Sequence, residues 1–503
     1  MNKKMLALVA AAYLGTFMAT LDISIVNVAL PAIQQSLGVS MGGMQWIIDA
    51  YAVCLAAFLL AAGGLSCRFG MKRVWMLGIA GFVLSSFACS VADSLDLLLL
   101  GRGFQGVFAA LIIPGALSII FHSFKDARAR SRIVGGWSAC TAIALICGPG
   151  LGGLLVDTVG WEGIFILNIP IGAITLFLGG WGIDEFVAEE RLPLDIAGQV
   201  VSVLFIGGMV YALIEAGGAG GGAGGGAGGG VGGGLTPVVL ATFSISLVLL
   251  PVFFFVEKRA VQPLVPFSLF KSSAFSLSNL ASFVLGFSYY SSLFFLSLFF
   301  QEAQGLSATQ AGSRMVPAFA FTAIASFLFG RLSARVSGHK LFVASYLLIG
   351  IAMSALGFSS ATTPYWYTGL CLCLLGVGSG LAVPATSISV LKHADSGNLS
   401  IASSVMNALR QAGMAFGIAI LGSIMNIASL FSAREKLSAA GVEDAVSRAH
   451  SLMLGRQPIG QPEIDMYHTA TAYGFNWAMF LAGGACLAVG VVLALHGSRC
   501  RQN

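Results

Sequence analysis

Two residues of opposite charge sit inside long apolar runs, and they frame the chemistry open to this chain. Asp22 interrupts the run that begins near Met5, and Arg102 interrupts the run that begins near Leu95. Gln105 follows Arg102 by three positions, which puts both on one face of a helix. Asp49 lies in a further apolar run, just after Trp46. A carboxylate or guanidinium at bilayer depth is costly and by default marks function. Asp22 is therefore a candidate to carry a proton, or to act as counter-ion for a cationic cargo. An arginine at such a depth needs a carboxylate, a carbonyl or cavity water, and Asp22 is the expected functional partner of Arg102. Asp49, near one end of its run, would attract cations or sit wet at the interface.

Elements that hold such residues must be membrane-spanning. The chain has 503 residues, 57% hydrophobic and 9% charged. Soluble domains carry about 25% charged residues, so lipid is the expected solvent. The apolar runs are long and continuous, which indicates helices of about 20 residues per crossing; a barrel would alternate in segments of about ten. Fourteen spans are expected, starting near Met5, Met44, Val74, Leu95, Ile133, Gly163, Asp195, Leu235, Ala274, Ala311, Leu341, Tyr365, Ser400 and Thr471. The first run continues to Pro31 and reads as a retained helix, not as a cleaved signal.

With both termini cytoplasmic, nineteen of the 26 Lys and Arg residues fall on the inner side. That bias fixes the expected orientation. One inner segment dissents, because Asp184, Glu185, Glu189 and Glu190 accompany only Arg191. The net charge of +5 is thus topological and implies no nucleic acid. Residues 216–234 hold 14 glycines among 19 and read as a flexible outer loop; residues 428–470 read as a long polar outer loop of mixed charge, in part helical. The nine cysteines form neither a disulfide framework nor a metal site.

The chain also repeats itself. Gly63, Leu65, Ser66 and Arg68 recur as Gly330, Leu332, Ser333 and Arg335, an offset of 267. Gly106, Val107, Leu111 and Pro114 recur as Gly376, Val377, Leu381 and Pro384, an offset of 270. Both shifts equal eight spans, as two six-helix halves separated by two inserted helices would give. Such repeats place the substrate site at the midplane between halves. The expected units are 1–183, 184–272 with the inserted helices, and 273–503.

This repeat, together with its loop signature, resembles the major facilitator superfamily over nearly the whole chain. Its details resemble the fourteen-helix drug:proton antiporters, a group that includes multidrug and quaternary-ammonium exporters. The residues that carry the match are LDISIVNVALP from Leu21, WIIDAYAV from Trp46, RGFQG from Arg102, GPGLGG from Gly148, IFILNIPIG from Ile164 and SSVMNALRQAGMAFGIAILG from Ser403. Gln301, Gly305, Ser307, Gly312 and Pro317 match as well. The resemblance implies an all-α polytopic major facilitator fold of 14 helices. It implies proton coupling through Asp22 and Arg102, and substrate contacts from Asp49, Gln105, Asn168, Asn407 and Gln411. It implies gating or hinge roles for Gly63, Arg68, Gly70, Arg73, Gly148, Pro149, Gly152 and Gly153. Cys67 stands where the family's gating loop has an aspartate, so the inner gate is expected to use other contacts. No acid occupies the thirteenth span, which argues against dicationic cargo.

GPGLGG also satisfies G-x-G-x-x-G, but it lies at membrane depth without a strand–loop–helix unit, so no dinucleotide is expected. No Walker A string and no HExxH occur. The expected protein is a proton-driven exporter of small lipophilic molecules, monomeric, in the cell inner membrane, with no cofactor, metal or catalytic residue. A dedicated exporter of one natural product is the alternative; a gradient-driven importer is a lesser one. Phenylalanines such as Phe294, Phe295 and Phe299 are expected in the cavity wall.

Overall fold

A computed structural model describes residues 3–124, 126–185, 195–216, 236–260, 263–265, 267–393, 399–442, 444–453 and 461–499. The Gly-rich segment 217–235 lies outside the described residues, as do Glu189, Glu190 and Arg191. Gly63 and Cys67 belong to a helix, but the surroundings of both are likewise outside the description.

Among the described residues the regular structure is helical. This follows from the solvent, because a backbone crossing lipid must satisfy its own hydrogen bonds. The first half runs α1 (Lys3–Leu37), α2 (Met41–Phe69), α3 (Met71–Ser90), α4 (Leu95–Ser123), α5 (Ala127–Thr158), then α6 (Gly163–Ile166) and α7 (Asn168–Gly182). Next come α8 (Ile196–Ala216) and α9 (Pro237–Arg259). The remainder is α10 (Ser273–Leu285), α11 (Ser291–Leu298), α12 (Ala308–Arg335), α13 (Gly338–Leu356), α14 (Tyr365–Lys392), α15 (Leu399–Ala439), α16 (Ala445–Met453) and α17 (Gln461–Arg499). Thirteen helical segments are long and apolar enough to cross a membrane, and α5 adds a shorter apolar stretch, Ile143–Thr158. The protein is a multi-pass membrane protein.

Local chemistry sets the joints. Gly70 turns the chain between α2 and α3 at φ 101°, a value that suits glycine alone, while its N–H caps α2 through Ser66 O. The ninth span is bent by two π-helical turns, Gly286–Tyr290 and Phe299–Ala303, on either side of α11.

The two halves meet most closely where α5 packs on α12 and α2 on α15. A Cβ on Gly153 would lie 2.5 Å from Ala308 O, and one on Gly312 would collide with Pro149 O, so the α5 and α12 backbones touch. Three hydrogen bonds join the halves nearby: Gln45 Nε2 to Ile418 O (2.9 Å), Gln301 Nε2 to Val28 O (3.2 Å) and Thr309 N to Asp157 Oδ2 (3.0 Å). All three lie in the half of the bundle away from Lys3, so that end is closed.

The inserted pair does more than fill sequence between the halves. Gln199 of α8 donates to Ala57 O of α2 (2.8 Å), and Ser423 of α15 donates to Leu213 O of α8 (2.9 Å). One helix therefore contacts both halves along the α2–α15 seam, while α9 packs mainly on α8. The segment 428–470, expected as a long and partly helical outer loop, is helical over most of its described residues. Residues up to Ala439 continue α15, α16 follows, and α17 begins at Gln461. Ala433, Leu437, Ala449 and Ala470 form a small apolar core there, and Arg448 pairs with Glu463 at 2.6 Å.

Candidate functional site

Asp22 of α1 is fully buried, and two helices, α4 and α7, supply its partners. Arg102 Nη1 of α4 lies 2.5 Å from Asp22 Oδ2. Gln105 Nε2, one turn further along α4, donates to Asp22 Oδ1 at 3.3 Å. Asn168 opens α7 just after the break at Leu167, and its Nδ2 donates to the same oxygen at 3.1 Å. One guanidinium and two amide donors thus converge on this carboxyl group, the guanidinium contact being charge-assisted.

Arg102 is equally committed. Its Nε donates to Ile47 O of α2 (3.0 Å), Nη1 also meets Gln105 Oε1 (2.8 Å), and the guanidinium stacks 4.5 Å from the Tyr51 ring centroid. Ser86 Oγ of α3 closes the network, accepting from Gln105 Nε2 (2.7 Å) and Asn168 Nδ2 (3.2 Å). The sequence reading missed Ile47, Tyr51 and Ser86. For Ser86 and Tyr51 the available signal was a polar atom within an apolar run; for the Ile47 carbonyl there was none.

A cavity of about 10 Å³ lies between the halves beside this network. Asn27, Tyr51 and Arg102 line it from one side, and Tyr290, Leu293 and Met414 from the other. Asp22 does not reach the cavity; Arg102 faces both the cavity and Asp22. Gln105, Asn168 and Asp49 also lie off the cavity wall. Phe294, Phe295 and Phe299, expected in the wall, are fully buried and do not line this cavity; from the ninth span Tyr290 and Leu293 do. Asn407 and Gln411 are half-buried on α15, and Asn407 Oδ1 accepts from Arg410, whose guanidinium lies 5.6 Å from the Tyr290 ring.

Asp49 has a different setting. It is fully buried, and neither carboxyl oxygen has a hydrogen-bond partner. Gln45 and Trp46, one turn away, touch α15 and Tyr211 of α8, so Asp49 faces the seam covered by α8.

The expected hinge residues sort by contact. Gly148 and Gly152 let α5 approach Ser24 and Ile25 of α1, Gly153 faces α12, and Pro149 offers its carbonyl beside Gly312. At the other end, Glu185 receives Lys72 N (3.1 Å) and lies 3.5 Å from Arg73 Nε, while Arg68 lies over the Phe69 ring. Asp184 pairs with Lys4 at 2.6 Å, and that ammonium holds its carboxyl below the usual aspartate range. Two of the acids that dissent from the charge bias thus sit on basic residues of α1 and the first turn of α3.

Comparison with known proteins decides the family. The model for the Major Facilitator Superfamily matches residues 12–418. The chain belongs to the Major Facilitator Superfamily. It is 35% identical over 421 residues to the Methylenomycin A resistance protein of Bacillus subtilis (strain 168), covering 84% of this chain and 87% of that one. It is 33% identical over 428 residues to the multidrug resistance protein Stp of Mycobacterium tuberculosis (strain CDC 1551 / Oshkosh), covering 84% and 76%. Among solved structures, the peptide transporter POT in complex with sulfate superposes with TM-score 0.67 at 14% identity, over 99% of this chain and 95% of that one. That likeness shows this major facilitator protein's fold, and the resistance proteins show the branch in which it sits.

Proposed function

We propose that this major facilitator protein exports small lipophilic, drug-like molecules in exchange for protons, by alternating access. The carrying observation is Arg102, which pairs with buried Asp22 and also lines the cavity between the halves. Cargo enters from the cytoplasm while the far end is closed. A proton arriving from the outside neutralises Asp22 and removes the Coulomb hold on Arg102. Arg102 then swings toward the cavity and opposes rebinding of cargo. Proton release to the cytoplasm re-forms the pair. Each charge crossing 100 mV contributes about 2.3 kcal/mol, enough to bias the cycle.

In this reading both termini are cytoplasmic in the cell inner membrane, and a monomer works without cofactor. The basic bias of the segments assigned to the inner side supports that orientation. The names of the relatives, one for methylenomycin A resistance and one for multidrug resistance, support export of antibiotics. The first name also favours a second reading, a dedicated exporter of one natural product with the same mechanism.

The test uses purified protein in vesicles loaded with a panel of lipophilic dyes and antibiotics, under an imposed proton gradient. Transport that appears with the gradient and stops with a protonophore supports the proposal. Transport of the same rate with and without the gradient contradicts it. A single accepted compound selects the second reading.

A further inference from the structure

A second cavity, of about 30 Å³, lies at the closed end of the bundle, away from Arg102. Its walls come from both halves: Met41 and Met44 of α2, and Met425 of α15, with Met453 of α16 above. Four thioethers around one space make an adaptable apolar surface that can refit guests of different shape.

Among the polar residues of the lining, Glu302 gives this surface its sign and Ser429 leaves a bonding position open. Glu302 sits on the π-helical turn at the end of the ninth span, where Tyr467 OH donates to its Oε2 at 2.6 Å. Tyr467 occupies only one carboxyl oxygen. Ser429 also lines the cavity; it is 1% exposed, and its hydroxyl has no hydrogen-bond partner. A buried hydroxyl without a partner is costly and marks a place where a guest or water belongs.

The present volume admits one water-sized guest. The cavity straddles the interface that rocks in this fold, so separation of the halves at this end enlarges it. We propose that this chamber is a second binding site for a lipophilic organic cation, with Glu302 as counter-ion and the four methionines as its apolar wall. It rests on the exporter reading for its place on the exit path, but its occupancy does not depend on transport. Nothing in the Asp22 network contributes to it.

The experiment reads binding alone, on purified full-length protein in detergent with no gradient. In Met453→Cys, the rate of maleimide labelling at position 453 is followed by peptide mass spectrometry with and without tetraphenylphosphonium. Glu302→Gln and Glu302→Asp are made in that background, and triphenylphosphine oxide serves as the neutral control. The proposal expects tetraphenylphosphonium to slow labelling, half-protection to need about ten-fold more cation in Glu302→Gln, and near-normal protection in Glu302→Asp. The neutral compound should protect weakly and equally in all three. Protection that is absent, or that Glu302→Gln leaves unchanged while the variant remains monodisperse, overturns it. Failure of Asp22-dependent transport with protection intact would instead refute only the function proposed above.

Discussion

Arg102 and Asp22 are separated by 80 positions in the chain and by 2.5 Å in space, and the residue that pairs with the acid also lines the cavity. In the proposed cycle a cargo that displaces Arg102 disturbs Asp22, and a proton on Asp22 removes one of the contacts that hold Arg102, leaving those to Ile47 O, Gln105 and the Tyr51 ring. That shared residue is where the function proposed above puts the coupling.

Removing one partner of a buried ion pair strands the other charge, at a cost of about 3–5 kcal/mol. Asp22→Asn and Arg102→Gln should each lower the melting temperature. The double variant should lose less than the sum of the two. A double-mutant cycle by scanning fluorimetry measures this, and strict additivity would show that the pair is energetically uncoupled.

Arg102→Lys preserves charge but not shape. Lysine cannot donate from Nε to Ile47 O while contacting Asp22 and Gln105 and lying flat on Tyr51. Gradient-driven transport should fall about ten-fold or more, with a smaller loss of stability than in Arg102→Gln. A vesicle assay beside a melting curve separates the two effects.

Close packing of α5 on α12 makes the closed end sensitive to one methyl group. Gly312→Ala places a Cβ against Pro149 O, and overpacking of this kind costs about 1–3 kcal/mol. The variant should shift away from the closed-end state. Cysteine cross-linking between the ends of α5 and α12 should fall relative to wild type; unchanged cross-linking would mean that the interface yields.

Asp49 should respond oppositely to Asp22. Its oxygens have no partner to lose, so Asp49→Asn should melt no lower than wild type and is expected to gain about 1 kcal/mol. A drop as large as that of Asp22→Asn would reveal a hidden partner.

The Lys4–Asp184 contact makes a prediction about pH. Lys4 depresses the Asp184 pKa, so the contact is fully present above the unperturbed aspartate value of about 3.9 and is lost as pH falls through the depressed value. Between pH 5 and 8 the carboxyl signal of labelled Asp184 should not move; a transition inside that window would contradict the pairing.

The features that sequence exposes best are those that lipid makes expensive. Asp22 and Arg102 stood out because charge is rare in apolar runs, and the helices followed from run length. Ser86 and Tyr51 did not stand out, because a hydroxyl in an apolar run costs little locally and gains meaning only when α2, α3 and α4 converge. The wall residues were misplaced by a turn: Phe294 and Tyr290 belong to one aromatic-rich stretch, and composition does not say which face turns inward. The packing of α8 across the α2–α15 seam, and the helical continuation past residue 428, depend on contacts between distant segments. Local periodicity carries neither.

The most direct measurement compares wild type with Asp22→Asn in vesicles, by gradient-driven uptake and by gradient-free exchange of the same dye. The account predicts that the variant loses uphill accumulation while exchange across a zero gradient persists. Uphill accumulation equal to wild type would show that Asp22 is not where proton and cargo are coupled.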